Sequence, residues 1–235
     1  MSDATDGPVP VPGTGPSVLG RLARWALPGV RRVEAQVAPY ARRWEESNAA
    51  ALAPGASGPL WAVLGDSAAQ GIGAPSFDRG YVGQLRDVLD LRRGERGRWR
   101  VVNLSRSGAR TADVLAVQLP RLAELPAPDL VTVAIGANDV YRTPAALFLS
   151  NLRAVIAALP AGAVIATVPQ GVRPRRAQLA NAVIRSEAPA AGLVVADVWA
   201  RTGPPWRGKF APDAFHPAER GYADWTAAFA DALGL

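Results

Sequence analysis

The sequence predicts an α/β layered domain built on a parallel sheet of about five strands. The first observation is five short runs, at 60–64, 99–104, 130–135, 163–168 and 193–195, that are apolar almost without alternation. Continuous apolar runs of this length suit strands buried on both faces of a sheet. The second is that segments of helical length separate the runs, at 80–93, 111–124, 144–159 and 173–188, with a last helix expected over 217–233. Strand–helix alternation of this kind is the pattern of α/β layers. The third is size: 235 residues, 49% of them hydrophobic, suit one core with a small extension.

In chain order, residues 1–16 are rich in Pro, Gly and small polar side chains and are expected to form a disordered tail. Residues 17–47 carry a helical pattern that Pro28-Gly29 should interrupt. Beyond it, Val30, Val33, Val37, Tyr40 and Trp44 recur at steps of three and four, which lines up one helix face. Pro39 falls inside this pattern and should kink it. Residues 53–59 (Ala-Pro-Gly-Ala-Ser-Gly-Pro) are a linker, so residues 17–59 form an N-terminal helical extension and residues 60–235 the main domain. Within the extension, residues 18–33 hold Arg21, Arg24, Arg31 and Arg32 and no acid, with Leu19, Leu22, Trp25 and Leu27 among them. Such a basic amphipathic helix either lies in a membrane interface or packs its apolar stripe on the domain. Packing is the expectation, because the stripe continues to Trp44 past Glu34.

Composition narrows the chemistry. There is no cysteine, which excludes disulfides, thiol catalysis and cysteine metal sites. The single histidine, His216, excludes a multi-histidine metal site, and any histidine base must be this residue. The formal charge is +6, almost all of the positive charge being arginine, with Lys209 the one lysine. The arginines are scattered and no nucleic-acid-binding motif accompanies them, so a solvated basic surface is the reading and no nucleic-acid partner is expected. No run reaches the roughly 20 apolar residues of a membrane span. The first 16 residues contain Asp3 and Asp6 but no basic side chain, unlike a secretory signal, so a cytoplasmic location is expected.

Active sites of parallel sheets gather at the carboxyl ends of strands. The loop after residue 64 reads Gly65-Asp66-Ser67; that after 104 reads Ser105-Arg106-Ser107-Gly108; that after 135 reads Gly136-Ala137-Asn138-Asp139. Before the last helix stands Asp213-Ala214-Phe215-His216-Pro217. An Asp three residues before a His can meet it on one turn, orient the imidazole and aim its other nitrogen at a nucleophile. Singly, each block is also read as a turn or a helix cap. Together and in this order they resemble the SGNH/GDSL hydrolase family, with Ser67, Gly108, Asn138 and His216 on the family's name residues and Asp213 on its triad aspartate. One departure is Ala68, where the family usually has leucine. The resemblance implies a flavodoxin-like three-layer α/β/α sandwich over residues 60–235. It also implies a serine hydrolase acting on a small-molecule or lipid ester, without metal or cofactor. Ser67 is then the nucleophile, Asp213–His216 the base, and the Ser67 and Gly108 N–H groups with the Asn138 amide the oxyanion hole.

Rival readings have weaker support. No serine has the two flanking glycines of a Gly-x-Ser-x-Gly elbow. Gly71-Ile72-Gly73 is only a fragment of a phosphate-binding loop. A non-catalytic binding protein or membrane-associated module on the same fold would be expected to have lost site residues. Thioester or carbohydrate-acetyl substrates fit the same machinery, because the fold does not choose the ester.

Overall fold

A computed structural model describes residues 27–94 and 97–235. The expected tail at 1–16 and the start of the basic segment, at 18–26, lie outside the described residues. The chain opens with α1 (Pro28–Glu34) and α2 (Val37–Ala51), then β1 (Leu60–Gly65), α3 (Tyr81–Arg93) and β2 (Arg100–Asn103). Next come α4 (Thr111–Asp113), a π-helical stretch (Val114–Gln118), α5 (Leu119–Ala123) and β3 (Leu130–Ala134). After them lie α6 (Asp139–Arg142), α7 (Ala145–Ala158), β4 (Val164–Ala166), α8 (Pro174–Glu187), β5 (Val194–Ala196), α9 (Val198–Arg201) and α10 (Glu219–Ala232).

The five apolar runs are five parallel strands in the order β2-β1-β3-β4-β5. This is the doubly wound order whose switch point lies between β1 and β3. Successive strand side chains point to opposite faces, so each strand feeds two cores. Leu60, Ala62 and Leu64 pack with Phe148 and Leu152 of α7 and Ile184 of α8; Trp61 and Val63 pack with Leu85 of α3 and Tyr222 and Phe229 of α10. The result is the three-layer sandwich that the family resemblance implies.

The extension's first described helix starts at Pro28, after an extended Leu27, and a further break at Ala35–Gln36 divides α1 from α2. Pro28 occupies the first turn of α1, where its missing N–H costs nothing. Pro39 cannot donate to the carbonyl four residues back, on Ala35, and its ring crowds that carbonyl. The helix therefore stops there and restarts at Val37, leaving Pro39 in the first turn of α2.

β2 is an edge strand, and α2 covers its open side. The Asn48 side-chain amide accepts from the Asn103 N–H (2.7 Å) and donates to the Asn103 carbonyl (2.9 Å), replacing a missing strand. Arg100 donates to the carbonyls of Ala51 and Gly58 (2.9 and 2.8 Å). Trp44 is 2% exposed, packs edge-on to Phe77 and donates to the Gln70 carbonyl. An edge treated this way cannot template another chain.

Candidate active site

At the end of β1, Gly65 has φ +152°, and a Cβ there would stand 2.5 Å from the Ala134 carbonyl oxygen, so only glycine lets β1 and β3 pass this closely. Gln118 pins the same residue: its amide oxygen accepts from the Gly65 N–H and its amide nitrogen donates to the Gly65 carbonyl, 2.8 Å each. The following Asp66 is buried; its Oδ1 accepts from the Ala68 N–H (3.0 Å) and its Oδ2 from Asn138 Nδ2 (3.2 Å). Ser67 and Asn138 thus meet at the switch point.

The segment carrying His216 is a narrow loop. Ala211 N–H donates to the His216 carbonyl and Ala218 N–H to the Lys209 carbonyl (2.8 Å each), with a bridge between Phe210 and Pro217. At its tip Ala214 takes φ +53°, a conformation costly for a residue with a Cβ and typical of functional turns. Asp213 Oδ1 accepts from the N–H groups of Phe215 (3.1 Å) and His216 (3.0 Å), and Oδ2 lies 2.6 Å from His216 Nδ1. His216 Nε2 lies 2.9 Å from Ser67 Oγ. Burial pushes the Asp213 carboxyl up, but the bonds from His216 and Phe215 outweigh it and leave it below the usual carboxylate range. An ionised carboxylate only accepts, so Nδ1 carries the proton and Nε2 offers its lone pair to the serine hydroxyl.

The remaining two expected residues are close by. Gly108 lies with Ser107, Ser67 and Asn138 along one cleft. Among the described residues, no protein group accepts from the backbone N–H of Ser67 or of Gly108. Asn138 stands at the start of α6 but its side chain makes no cap bond; Nδ2 donates instead to Asp66 and to the Ala109 carbonyl (3.1 Å). Both amide hydrogens therefore have protein acceptors at long distances.

Sequence reasoning missed the groups that hold these loops. Gln70 accepts from Ser107 N–H and Oγ and donates to the Ser105 carbonyl. Asp139 accepts from the Thr111 N–H and hydroxyl and from the Thr143 hydroxyl. Asp66 was legible as a member of the Gly-Asp-Ser turn, but not as the acceptor for Asn138. The extension contributes as well. Gln36 accepts from Gly73 N–H (2.8 Å) and donates to the Ala74 carbonyl, which also takes the Tyr40 hydroxyl. Val33 packs on Ile72 and Ala211, and Gly29 comes so near Pro212 that a Cβ would meet its carbonyl oxygen at 2.2 Å. The loop that follows Ser67 and the loop that carries His216 are thus both tied to residues 29–40.

A hydrogen-bonded carboxylate–imidazole–hydroxyl chain at the switch point of a flavodoxin-like sheet defines a hydrolase class of enzyme. The chain belongs to the GDSL-like lipase/acylhydrolase family, whose model matches residues 63–223, and is an esterase/lipase of that family. Solved structures agree. LAE5, an α/β hydrolase enzyme from the metagenome of Lake Arreo, Spain, is 25% identical with a TM-score of 0.61, over 76% of this chain and 96% of that one. The psychrotrophic esterase EstA from Pseudoalteromonas sp. is 25% identical with a TM-score of 0.57, over 75% and 97%. Axe2, an acetylxylan esterase from Geobacillus stearothermophilus, is 20% identical with a TM-score of 0.59, over 76% and 95%, and speaks for the fold alone. No curated protein matches the chain.

Proposed function

We propose that the protein hydrolyses carboxylic esters through an acyl-enzyme on Ser67. The observation that carries this reading is the chain from Asp213 through His216 to Ser67 Oγ, with contacts of 2.6 and 2.9 Å. His216 Nε2 takes the hydroxyl proton as Oγ attacks the ester carbonyl. The carbonyl oxygen gains the negative charge, and the free Ser67 and Gly108 N–H groups receive it. Asn138 joins them by sharing the Nδ2 hydrogen of its long bond to Ala109. Collapse breaks the bond to the alkoxy group, which leaves with the proton from His216. Water then repeats the sequence on the acyl-enzyme, releasing the acid and restoring Ser67. Asp213 holds the imidazole and stabilises its cation.

The substrate class proposed is an ester with a short or medium acyl chain. The clefts that meet at Ser67 are mainly apolar, with Val30, Val33 and Tyr141 on one side and Trp206, Phe210 and Trp225 on the other. This lining favours an ester with apolar substituents over an acetylated sugar. The test is a chain-length series of esters and thioesters, with fluorophosphonate labelling, on wild type and Ser67→Ala. Wild type should label and hydrolyse esters; folded Ser67→Ala should do neither. Full activity in that variant would remove Ser67 from the mechanism.

A further inference from the structure

A tetrahedral centre on Ser67 carries two organic groups, the acyl chain and the alkoxy group, and two clefts diverge from that point. Both are bordered by Ser67, Asn138, Phe215 and His216. The first, about 50 Å³, is lined by Trp206, Phe210 and Trp225, within the family domain. The second, about 630 Å³, runs between Tyr141 and Phe215 on one side and Val30, Val33, Val37 and Ile72 on the other. Tyr141 and Phe215 meet edge to face at 5.8 Å and form a continuous aromatic rim. Three of the four aliphatic residues come from α1 and the start of α2. These precede the family match at 63–223, so this wall is an addition to the family domain.

We propose that α1 is a substrate-selecting wall, and that Val30 and Val37, seated on the buried Val33, take the larger, apolar substituent of the ester. The proposal rests on the ester-hydrolase reading and says which part of the substrate this chain selects. Three features fit a wall rather than a passing contact. It is rigidly seated, through Gly29 against Pro212, Val33 against Ile72 and Ala211, and Gln36 on Gly73 and Ala74. Its cleft side presents Val30 and Val33 with Glu34 at its end, whereas Arg31 and Arg32 of the same helix are exposed. Its cleft is the larger of the two, so it suits the bulkier group. An alkyl chain laid along it gains roughly fourfold in kcat/KM per methylene fully buried, the equivalent of about 0.8 kcal/mol.

The experiment measures two series on the full-length protein: ethyl esters of acids from acetate to decanoate, and acetates of alcohols from ethanol to decanol. The variants are Val30→Asp and the milder Val30→Ala, with Arg32→Ala, on the exposed side of α1, as the control that leaves both series unchanged. In Val30→Asp the long-to-short ratio of kcat/KM should fall at least tenfold in one series and stay within twofold in the other; Val30→Ala should give a smaller change in that same series. Unchanged ratios in both series, or equal losses in both, would overturn the proposal, and Val30→Ala decides if Val30→Asp does not fold. A second arm does not need turnover: 2-decanone is titrated into Ser67→Ala protein with and without Val30→Asp. Binding is followed by the NMR signal of the one imidazole, His216. Weaker binding by tenfold or more in the double variant supports the wall, while equal affinity or no binding overturns it. If wild type hydrolyses no ester, the hydrolase reading fails on its own and this arm still decides the wall.

Discussion

Asp66 is buried next to Ser67, with one oxygen on the Ala68 N–H and the other on the Asn138 amide. Burial lifts its carboxyl from 3.8 to about 6, against the opposing pull of the Ala68 N–H and of His216. Because the native value lies above the unfolded one, the folded protein binds the extra proton between about pH 4 and 6. Stability contributed by this group is therefore lost as pH rises through that window, and the full penalty stands above it. A shift of about two units corresponds to roughly 3 kcal/mol. Urea unfolding of wild type and Asp66→Asn at pH 4, 5, 6 and 7 should show the difference between them moving against wild type by up to that amount. A flat difference would mean that Asp66 does not titrate there. Above pH 6 the ionised carboxylate also anchors Asn138 best. Asn138→Ala should lower kcat by roughly 10²–10³ with little change in KM, because an oxyanion bond strengthens in the transition state. A kinetically silent Asn138→Ala would leave the amide only its bonds to Asp66 and Ala109.

Among the elements, α2 does for the sheet what a sixth strand would. Asn48→Ala removes both bonds to Asn103 and leaves that part of the β2 edge unpaired, so it should cost about 1–3 kcal/mol in urea unfolding. The kcat of this variant should stay near wild type, since Asn48 touches no residue of the Ser67–His216–Asp213 chain. The strands were legible in the sequence because burial on both faces writes an uninterrupted apolar run. The long helices were legible because their periodic faces meet the two cores. The π-helical stretch was not, since one extra residue in a turn leaves no mark in apolar spacing, yet that turn carries Gln118, the residue that holds Gly65. The segment from α9 to His216 was also dark, because a bridge between Phe210 and Pro217 and a contact with Gly29 shape it, and neither follows from local propensity. Ser67, Gly108, Asn138, Asp213 and His216 could be picked out because four short blocks occur in order around the sole histidine. Asp66, Gln70 and Asp139 could not be given their roles, because a polar residue near a turn reads the same whether it caps a helix or braces a loop.

At the scale of the whole molecule, the extension contributes side chains to the cores on both faces of the sheet. Among the described residues no helix is long and apolar enough to cross a membrane. What the extension does with its apolar stripe is visible from Pro28 onward: Val33 is buried on Ile72 and Ala211, Trp44 in the core shared with α3, and Ala51 in the core beyond the sheet. The side chains buried this way are not available to a bilayer. Deleting residues 1–50 should therefore strip the cover from β2, leave the space filled by Trp44 open and release both loops of the site. Losing a buried tryptophan alone costs about 3–5 kcal/mol, and each kcal/mol is roughly 2–4 °C in a protein of this size. The melting temperature of the truncated protein should fall by more than about 10 °C. Its activity on a short water-soluble ester, in buffer free of lipid, should fall with it, since the Gly73–Ala74 and Pro212 contacts that steady Ser67 and His216 are gone. The contrary account makes residues 18–33 a membrane-surface helix whose arginines meet anionic lipid. On that account the truncated enzyme keeps its melting temperature and its activity on the soluble ester, and loses only its sedimentation with anionic liposomes. Calorimetry, the lipid-free assay and liposome sedimentation on the same two proteins separate the accounts, and a stable, active truncation that no longer sediments would overturn the one argued here.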